Sequence, residues 1–524
     1  MKYVKIKPIF ILFIAIIVVI IVGVFIKIKS IYEIKDCIML EKPPLIQPDY
    51  SNTVIPFNIA PLNFYIKEKG ENYYVRIFSQ TKDEIRLHSR SSGIMIPINQ
   101  WRKLLYKNKG NDLYFEIFTR KEGIWYKHKS IVNKIAKEKI DSFLVYRDIA
   151  PQFYQKTRMM IYQRDLENYN KQLILDSRAI KDACFNCHTF YKNNTEKFII
   201  QTRYGGRNYM ALNDNGKVSL IAPVLRKPGS AYLSWHPSGK IIALTVNMSY
   251  RIFNRFLGSI PEEMLEYGDI DGDIALYNIQ THALTTDAGV SRVDMVETQP
   301  NWSSDGKYLY FLSAPKLSIK EYEKIKYDLM RISYDTNKNV FGEPEVLISA
   351  LDTGLGVTFP KVSPEGKFLL FCMTDRSSFS ILRSKTDLYL MDLRNAKYRR
   401  LEINSDRTDS YHSWGSNSRW FVFTSKRDDG VFGKAYFSYV DENGKVYKPF
   451  VLPQKDPYFY DSFIRTYNVP ELIQSPIKIN RFYFGRQVSS LDNIIEVTPD
   501  QPTLSEHKNN ALESGSEEYE PYRN

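Results

Sequence analysis

Two cysteines and a histidine lie close enough in the chain to hold one cofactor. Residues 183–188 read Ala-Cys-Phe-Asn-Cys-His, which contains C-x-x-C-H, the attachment signature of c-type haem. Thiols at this spacing can add to the two vinyl groups of the porphyrin, and the histidine that follows can bind the iron. The sequence therefore predicts one covalent haem c, held by Cys184, Cys187 and His188.

Two other chemistries use paired cysteines. A zinc site requires a second pair of ligands, and the chain contains no second C-x-x-C and no H-x-x-x-H. A thioredoxin-like redox pair requires a βαβ context, which the pattern around the motif does not suggest. Cys37 and Cys372 are isolated in the sequence. Covalent haem is therefore the interpretation that the motif favours.

The amino terminus predicts a membrane anchor. Ile9 to Ile26 is an unbroken apolar run that follows Lys2, Lys5 and Lys7, and at about 1.5 Å per residue it nearly crosses the hydrocarbon core of a bilayer. No small-x-small cleavage site follows it, so we expect an uncleaved anchor. Haem is attached on the outer side of the inner membrane, which places the rest of the chain in the periplasm of a diderm bacterium.

Composition limits the partners. The chain has 524 residues, 43% of them hydrophobic, and is rich in aromatic residues, with 37 Tyr and 30 Phe. Such rings pack well on pleated surfaces and suit many short strands. The net charge of +13 is spread along the chain without a dense Lys/Arg block, so no nucleic-acid partner is predicted. A basic surface favours the inner membrane itself, or an acidic periplasmic or membrane redox protein.

The chain after the haem motif repeats itself. Four segments each combine a strand, a tight turn and a second strand, and Asp-Gly, Glu-Gly and Ser-Gly pairs supply the turn geometry. Each segment precedes another strand pair, so the repeating unit has four strands, as in a propeller blade. The segments are residues 234–244, 301–311, 361–371 and 413–423.

Residues 302–307 (Trp-Ser-Ser-Asp-Gly-Lys) and 362–367 (Val-Ser-Pro-Glu-Gly-Lys) resemble the WD40-like (PD40) repeats of TolB-type β-propellers. This resemblance covers roughly residues 190–455 and implies a propeller of six blades. The chain is also similar to a Bacteroidetes-type group of PD40 proteins with a haem motif, over residues 184–190, 232–240, 411–430 and 448–460. A more distant similarity is to the α subunit of hydrazine synthase. That subunit carries a second haem domain, whereas this chain has one C-x-x-C-H, which argues against the same reaction.

The predicted fold is all-β and has five segments. They are a transmembrane anchor (1–29), a linker (30–58), an Ig/fibronectin-like β-sandwich (59–140) with Trp101 and Trp125 as core rings, a propeller (141–500) and a disordered acidic tail (501–524). Five blades can be counted, including a degenerate one directly after the haem motif. We expect the sixth to combine residues 159–176 with strands from 475–498, and residues 246–272 to form a long loop that acts as a lid.

The repeat predicts where the haem lies. Tyr191 aligns with Trp235 and Trp302, which puts His188 near the start of an inner strand, at the channel mouth on that face. His412 lies at the same level where other blades have Leu or Pro, so it is a candidate sixth iron ligand or distal proton donor. The alternative is a channel-lining histidine bonded to a backbone group. His236 and Met210 are weaker candidates for the same position.

Basic residues follow the second strands of several blades. A ring of guanidinium groups there would pair haem propionates or an anionic substrate. Solvated loop charge is the equally weighted alternative. The residues are Arg203, Arg207, Arg251, Arg255, Arg376, Lys426 and Arg427.

Three functions remain open from the sequence. The first is electron transfer by a membrane-anchored periplasmic cytochrome, in which the protein tunes the potential of a haem with two protein ligands. The second is a haem enzyme or sensor with an open iron site in the propeller mouth. The third is a protein-binding propeller in which the haem is structural.

Overall fold

A computed structural model describes residues 34, 36–150, 158–180, 183–204, 207–222, 229–253, 265–375, 380, 383–490 and 494–499. The predicted anchor and acidic tail lie outside these residues. Within them, no helix has the length and apolar character needed to cross a membrane. The chain divides into two compact units. Of the described residues, one unit comprises those up to Asn52 together with Leu62–Ile135 and Asp456–Tyr458, and the other comprises those of Thr53–Pro61, Ala136–Lys455 and from Phe459 to 499.

The smaller unit contains two sheets and a helix. Rings of Phe64 and Phe115 pack edge to face between the sheets, 6.2 Å apart. Trp101 is fully buried as predicted, but it lies on the helix, whereas Trp125 is partly exposed on the strand Ile124–Lys127. The strands of the larger sheet are Ile38–Met39, Asn72–Phe78, Glu84–Ser89, Asp112–Lys121, Ile124–Lys127 and Ile131–Ile135. The second sheet has Ile46–Gln47, Phe64–Ile66 and Gly93–Ile94, and the helix is Ile98–Lys107.

The larger unit is a β-propeller, and the first of its blades along the chain begins with the haem motif. Blade 1 comprises Cys184–Phe190, Lys197–Tyr204, Arg207–Asp214 and Lys217–Ala222. Blade 2 comprises Gly229–Trp235, Ile241–Phe253, Leu265–Asn278 and Ala283–Thr285. Blade 3 comprises Met295–Trp302, Tyr308–Pro315, Asp328–Asp335 and Val340–Ile348.

The other three blades complete the ring. Blade 4 comprises Gly356–Val362, Phe368–Thr374, Asp387–Asp392 and Lys397–Arg400. Blade 5 comprises Asp409–Trp414, Trp420–Ser425, Lys434–Tyr439 and Phe450–Val451. Blade 6 takes its inner strand from Thr466–Ile473 and its other three strands from Phe143–Ile149, Met160–Asp165 and Lys171–Asp176. Each inner strand contacts the next, and that of blade 6 contacts that of blade 1, so the ring is closed.

Both chain ends supply blade 6, as predicted, but the predicted strands from 475–498 are placed differently. Ile494–Glu496 and Thr498–Pro499 add parallel fifth strands to the outer edges of blades 1 and 2. The helix Arg481–Ser490 packs Phe484 and Val488 into the core of blade 1. The other elements that the structure describes in this unit are the strand Val54–Ile55, the short helix Ala350–Thr353 and 3-10 turns at Ser177–Ile180, Tyr191–Asn193, Ile319–Lys324 and Phe459–Ser462.

Burial on both faces explains the composition of the blades. Every residue of Phe368–Thr374 and of Trp420–Ser425 is buried, because each blade packs against a neighbour on either side. Such strands require continuous apolar runs instead of an apolar/polar alternation. The segment 246–272, which was predicted to be a loop, largely continues two strands of blade 2 instead. The pairing of these strands runs from Ile241 opposite Asn278 to Phe253 opposite Leu265.

The predicted turns occur where the repeat places them. Gly239, Gly306 and Gly366 have positive φ, and Ser418 takes this conformation in blade 5. At Gly306 a Cβ atom would lie 2.3 Å from the ring of His236. That glycine therefore provides both the left-handed turn and the space for a side chain from the preceding blade.

Asn193 ties the closing blade to its neighbours and supplies a test of the closure. Its Nδ2 donates to the carbonyl oxygens of Trp414 (3.0 Å) and Leu472 (2.8 Å). We expect Asn193→Ala to lower the free energy of unfolding by about 1–3 kcal/mol, because two carbonyls lose their donor. Asn215→Ala is the matched control, since Asn215 has a similar positive φ but its amide donates to its neighbour Asp214. Equal losses in urea unfolding would show that backbone strain, and not closure, sets the cost.

Candidate functional site

The inner strand of every blade carries a β-bulge at the same level. Pairing with the second strand shifts by one residue in all six, so two inner-strand residues lie opposite one partner. In five blades the first of these residues has a left-handed backbone although it is not glycine. These residues are Tyr232, Gln299, Phe359, Tyr411 and Val469. In blade 1 the bulge consists of Asn186 and Cys187, so the haem motif itself occupies it.

The bulges correct the predicted alignment of blade 1. Counting from them, His188 is level with Ser234 and Lys361, and Thr189 is level with Trp235. The sequence alignment paired Tyr191 with Trp235, an error of two residues. It arose because blade 1 replaces the Asp-Gly corner with a 3-10 turn at Tyr191–Asn193. His188 consequently lies in the middle of the inner strand and not near its start.

Side chains at the bulges form an aromatic floor across the channel. Phe359 packs on Tyr411 with ring centroids 4.6 Å apart, and Tyr232 meets Phe359 edge to face at 5.9 Å. Tyr232 and Val469 pack against this pair. Left-handed backbone at non-glycine residues costs of order 1–3 kcal/mol each and persists where the surrounding structure enforces it. Here the shared consequence is that large side chains meet inside the ring.

A cavity of about 500 Å³ lies on this floor. Its walls come from all six inner strands, from the bulge toward their carboxyl ends, and include Cys187 and His188. The volume is within the roughly 300–1,000 Å³ typical of small-molecule and cofactor sites. The motif therefore faces a space that a ligand could fill.

Polar side chains one residue after the bulge join neighbouring inner strands. Ser234 Oγ accepts from the backbone N–H of Trp302 (3.1 Å), and Asn301 Oδ1 accepts from that of Val362 (2.9 Å). Glu471 Oε1 accepts from the N–H of Phe190 (3.1 Å). We call this set the inter-blade belt. It satisfies polar groups that would otherwise be buried without partners.

His188 occupies a belt position but does not join the belt. The residue is 3% exposed, and neither ring nitrogen has a hydrogen-bond partner of normal geometry among the described residues. The backbone of Val469 is close enough to raise its pKa slightly, but burial, reinforced by the charge of Arg147, lowers that pKa to about 3. The imidazole is therefore neutral near pH 7 and has a free lone pair. A buried polar group without a partner is costly, so this histidine fits the role of an iron ligand.

The two cysteines are also compatible with haem attachment. Neither cysteine is in a disulfide, and Cys184 Sγ lies 3.7 Å from Met159 Sδ. In a regular strand, residues three apart point to opposite faces. The bulge between Phe185 and His188 breaks that alternation, so the two thiols are not forced apart. Among the described residues, no three His, Cys, Asp or Glu side chains converge as a metal site, and a haem would supply its own four nitrogen ligands.

The structure gives His412 hydrogen-bond partners. Its Nε2 is 2.9 Å from the carbonyl oxygen of Leu370, and its Nδ1 is 3.6 Å from Cys372 Sγ. The carbonyl accepts only, so Nε2 carries the proton and the Cys372 thiol faces the Nδ1 lone pair. This is the arrangement expected of the alternative interpretation, a histidine bonded to a backbone group. His412 does line the cavity but would have to leave Leu370 to ligate a metal.

The weaker candidate ligands lie elsewhere. His236 lies between Ser238 Oγ (2.8 Å) and the carbonyl oxygen of Gly306 (3.2 Å) and is absent from the cavity wall. Met210 is buried in the core between blades 1 and 2. Neither is placed beside His188.

The members of the predicted basic ring whose side chains the structure describes, Arg203, Lys426 and Arg427, do not line the cavity. Arg203 is exposed and pairs across the strands with Cys184, at the start of the inner strand. Arg427 donates from Nη2 to buried Asp409 (2.9 Å) and stacks over Tyr436. Neither lines the cavity. Arg255 and Arg376, and the side chains of Arg207 and Arg251, are outside the described part of the chain.

Three charged residues near the motif were not predicted. Arg147 of blade 6 donates from Nη1 to the carbonyl oxygen of Phe185 (3.0 Å), while Lys361 and Glu471 line the cavity itself. Burial raises the pKa of Glu471 to about 7, and burial lowers that of Lys361. The repeat alignment contained a signal for Lys361, because it takes the place of Ser234 and Asn301.

Comparisons with known proteins add little. No protein-family model matches the chain, and no curated protein matches it. Among solved structures, TolB from Acinetobacter baumannii is 13% identical over 69% of this chain and 79% of its own, with a TM-score of 0.40. An oligogalacturonate lyase from Vibrio parahaemolyticus is 11% identical over 58% and 93%, with a TM-score of 0.29. The Dos1 propeller is 13% identical over 43% and 62%, with a TM-score of 0.27.

The burial of His412 predicts a pH effect on stability. Burial lowers its pKa from 6.5 to about 3, so between these values the unfolded chain binds a proton that the folded chain does not. The free energy of unfolding must therefore fall as the pH drops from 6.5 toward 3. We expect His412→Gln, which keeps a donor for Leu370, to reduce the proton uptake on unfolding by about one in this range. Urea unfolding at pH 4–8 measures this, and an unchanged slope would contradict it.

Proposed function

We propose that the chain is a monohaem c-type cytochrome whose haem is attached by Cys184 and Cys187, with His188 as an axial ligand, and whose task is electron transfer. The observation that carries the proposal is His188. It stands directly after a C-x-x-C pair, faces the channel cavity, and is buried with both ring nitrogens unpartnered among the described residues.

The surrounding residues would serve such a group in three ways. The haem would supply one-electron redox chemistry. Burial keeps the imidazole of His188 neutral, so its lone pair is available for the metal. The aromatic floor offers Phe359 and Tyr411 as an apolar contact surface and limits water from one side. Arg147 places a positive charge near His188, which favours the reduced state of a nearby redox centre.

The apolar run from Ile9 to Ile26 completes this proposal. It would hold the propeller at the inner membrane with the haem motif in the periplasm, close to membrane electron donors. The net charge of +13 suits an acidic redox partner, because complementary charge accelerates association.

A second function is favoured by one observation. His412 is bonded to the carbonyl oxygen of Leu370, and a cavity of about 500 Å³ remains above the floor. An iron with one protein ligand and space beside it would bind small molecules, as in a haem enzyme or sensor. The two functions differ in whether a second side chain completes the iron coordination.

Cysteine substitutions test the attachment. The full-length chain, produced in a host with c-type haem maturation, should keep its haem after denaturation and acid–acetone extraction. We expect the double variant Cys184→Ala/Cys187→Ala to lose all covalent haem, because both thioether positions are gone. Cys372→Ala is the control, since Cys372 is a buried thiol of blade 4, and should keep the full amount. Wild-type protein without covalent haem would contradict the proposal.

Carbon monoxide separates the two functions. For an electron carrier with two protein ligands, the reduced spectrum should not change with CO, and His412→Ala should make it change. His236→Ala is the control, because His236 is also bonded to a backbone carbonyl but lies outside the cavity wall, and its spectrum should stay insensitive. A wild-type spectrum that shifts with CO would contradict electron transfer through a six-coordinate iron and support the second function.

A further inference from the structure

The inference concerns Lys361, which, like His188, occupies a belt position without joining the inter-blade belt. His188 has a free lone pair there, whereas Lys361 has only hydrogen-bond donors. At the same level, Ser234 and Asn301 accept hydrogen bonds from the next inner strand. A lysine ammonium has three donors and no acceptor, so Lys361 cannot make that bond. Its backbone carbonyl instead accepts from Trp414 Nε1 (2.9 Å). The side chain is thus released from the belt and lines the cavity.

In the part of the chain that the structure describes, the side-chain amino group of Lys361 has no bonded counter-charge. Within the described residues, no carboxylate forms an ion pair with it and no acceptor forms a hydrogen bond with it. Glu471 and the Cys187 thiol act on it only electrostatically, and burial lowers its pKa. Glu471 is already bonded to the N–H of Phe190. An unpaired charge away from bulk water is expensive, so an anion entering the cavity would be strongly favoured at this point.

The rest of the cavity defines what kind of anion fits. Its floor is the aromatic cluster around Phe359 and Tyr411, which contacts an apolar body better than a hydrated inorganic ion. Its wall includes the amide side chains of Gln299 and Asn301, which can donate hydrogen bonds. One cation, an aromatic surface and a few polar groups match the general composition of a small-molecule site.

We propose that the channel cavity binds the carboxylate of an apolar molecule, with Lys361 as the counter-charge and the aromatic floor as the contact surface for the apolar part. Two sources share this chemistry, a diffusible organic acid and the propionate of a covalently bound haem. The inference does not require that the chain carries haem, because Lys361 and the floor belong to other blades than the motif.

Benzoate and benzamide are the probes, since they have the same shape and differ in charge. In the full-length chain produced without haem maturation, we expect calorimetry to show saturable benzoate binding and at least tenfold weaker benzamide binding. Lys361→Met should weaken benzoate binding at least tenfold, to the level of benzamide, whereas Lys361→Arg should retain most of it. Lys397→Met is the control, because Lys397 is an exposed lysine of the same blade, and should bind as wild type.

The haem-loaded chain separates the two sources. If benzoate still binds and Lys361→Met still weakens it, the ligand is diffusible. If benzoate no longer binds and Lys361→Met lowers the reduction potential relative to Lys397→Met, the haem propionate occupies the site. Benzoate and benzamide bound equally by the haem-free chain, or a Lys361→Met variant that changes neither binding nor potential, would overturn the inference.

Thermal unfolding of the Lys361→Met variant distinguishes loss of the binding site from loss of the fold. Replacement of a half-buried lysine that has no ion pair by an apolar residue of similar length should not destabilise the protein, so Lys361→Met should unfold thermally no earlier than wild type in the absence of probe. If the wild-type chain carried no covalent haem, the haem proposal would be wrong. The benzoate measurement on the haem-free chain would not be affected. The two proposals therefore fail separately.

Discussion

The bulge repeated in six inner strands is the constraint on which the rest of the site depends. A regular strand would turn alternate side chains into the neighbouring blades and leave the channel lined by backbone edges. The extra residue at each bulge forces a left-handed backbone at large residues such as Tyr232 and Phe359. These side chains then meet across the ring and form a floor. The cost of strain in several blades is offset by the packing of the six-bladed ring, which holds each strand in place from both sides.

The floor creates the conditions under which a buried charge or lone pair has a strong effect. Water is limited from one side, and electrostatic interactions strengthen as the local dielectric falls. The belt satisfies the backbone donors around the ring at Ser234, Asn301 and Glu471. Only against that background do His188 and Lys361 stand out. One has a free lone pair and the other an amino group that can only donate hydrogen bonds when protonated, in the same cavity, and these are opposite kinds of binding group.

Much of the propeller could be predicted from the sequence because its repeats carry local signals. Gly306 and Gly366 mark corners that need positive φ, and the apolar runs around them identify strands. The inner strand Thr466–Ile473 could not be predicted, because it has no second strand directly after it and therefore no corner motif. Its partner Phe143–Ile149 lies more than 300 residues earlier in the chain, and no local pattern records a pairing over that separation.

The sequence predicts a chemistry for the candidate site but not the surroundings of that site, for a physical reason. The spacing of Cys184, Cys187 and His188 is local and readable, whereas the side of the floor on which they act depends on bulges that have no sequence signature of their own. Four different residue types occupy the left-handed position in five blades, from Gln299 to Val469, so no single residue identifies it. Once the bulges are known, the alignment shows that Lys361 occupies a position at which Ser234 and Asn301 of other blades accept hydrogen bonds. What distinguishes it is the mismatch between its chemistry and the role of its position, and that mismatch becomes visible only when strand register is measured from the structure.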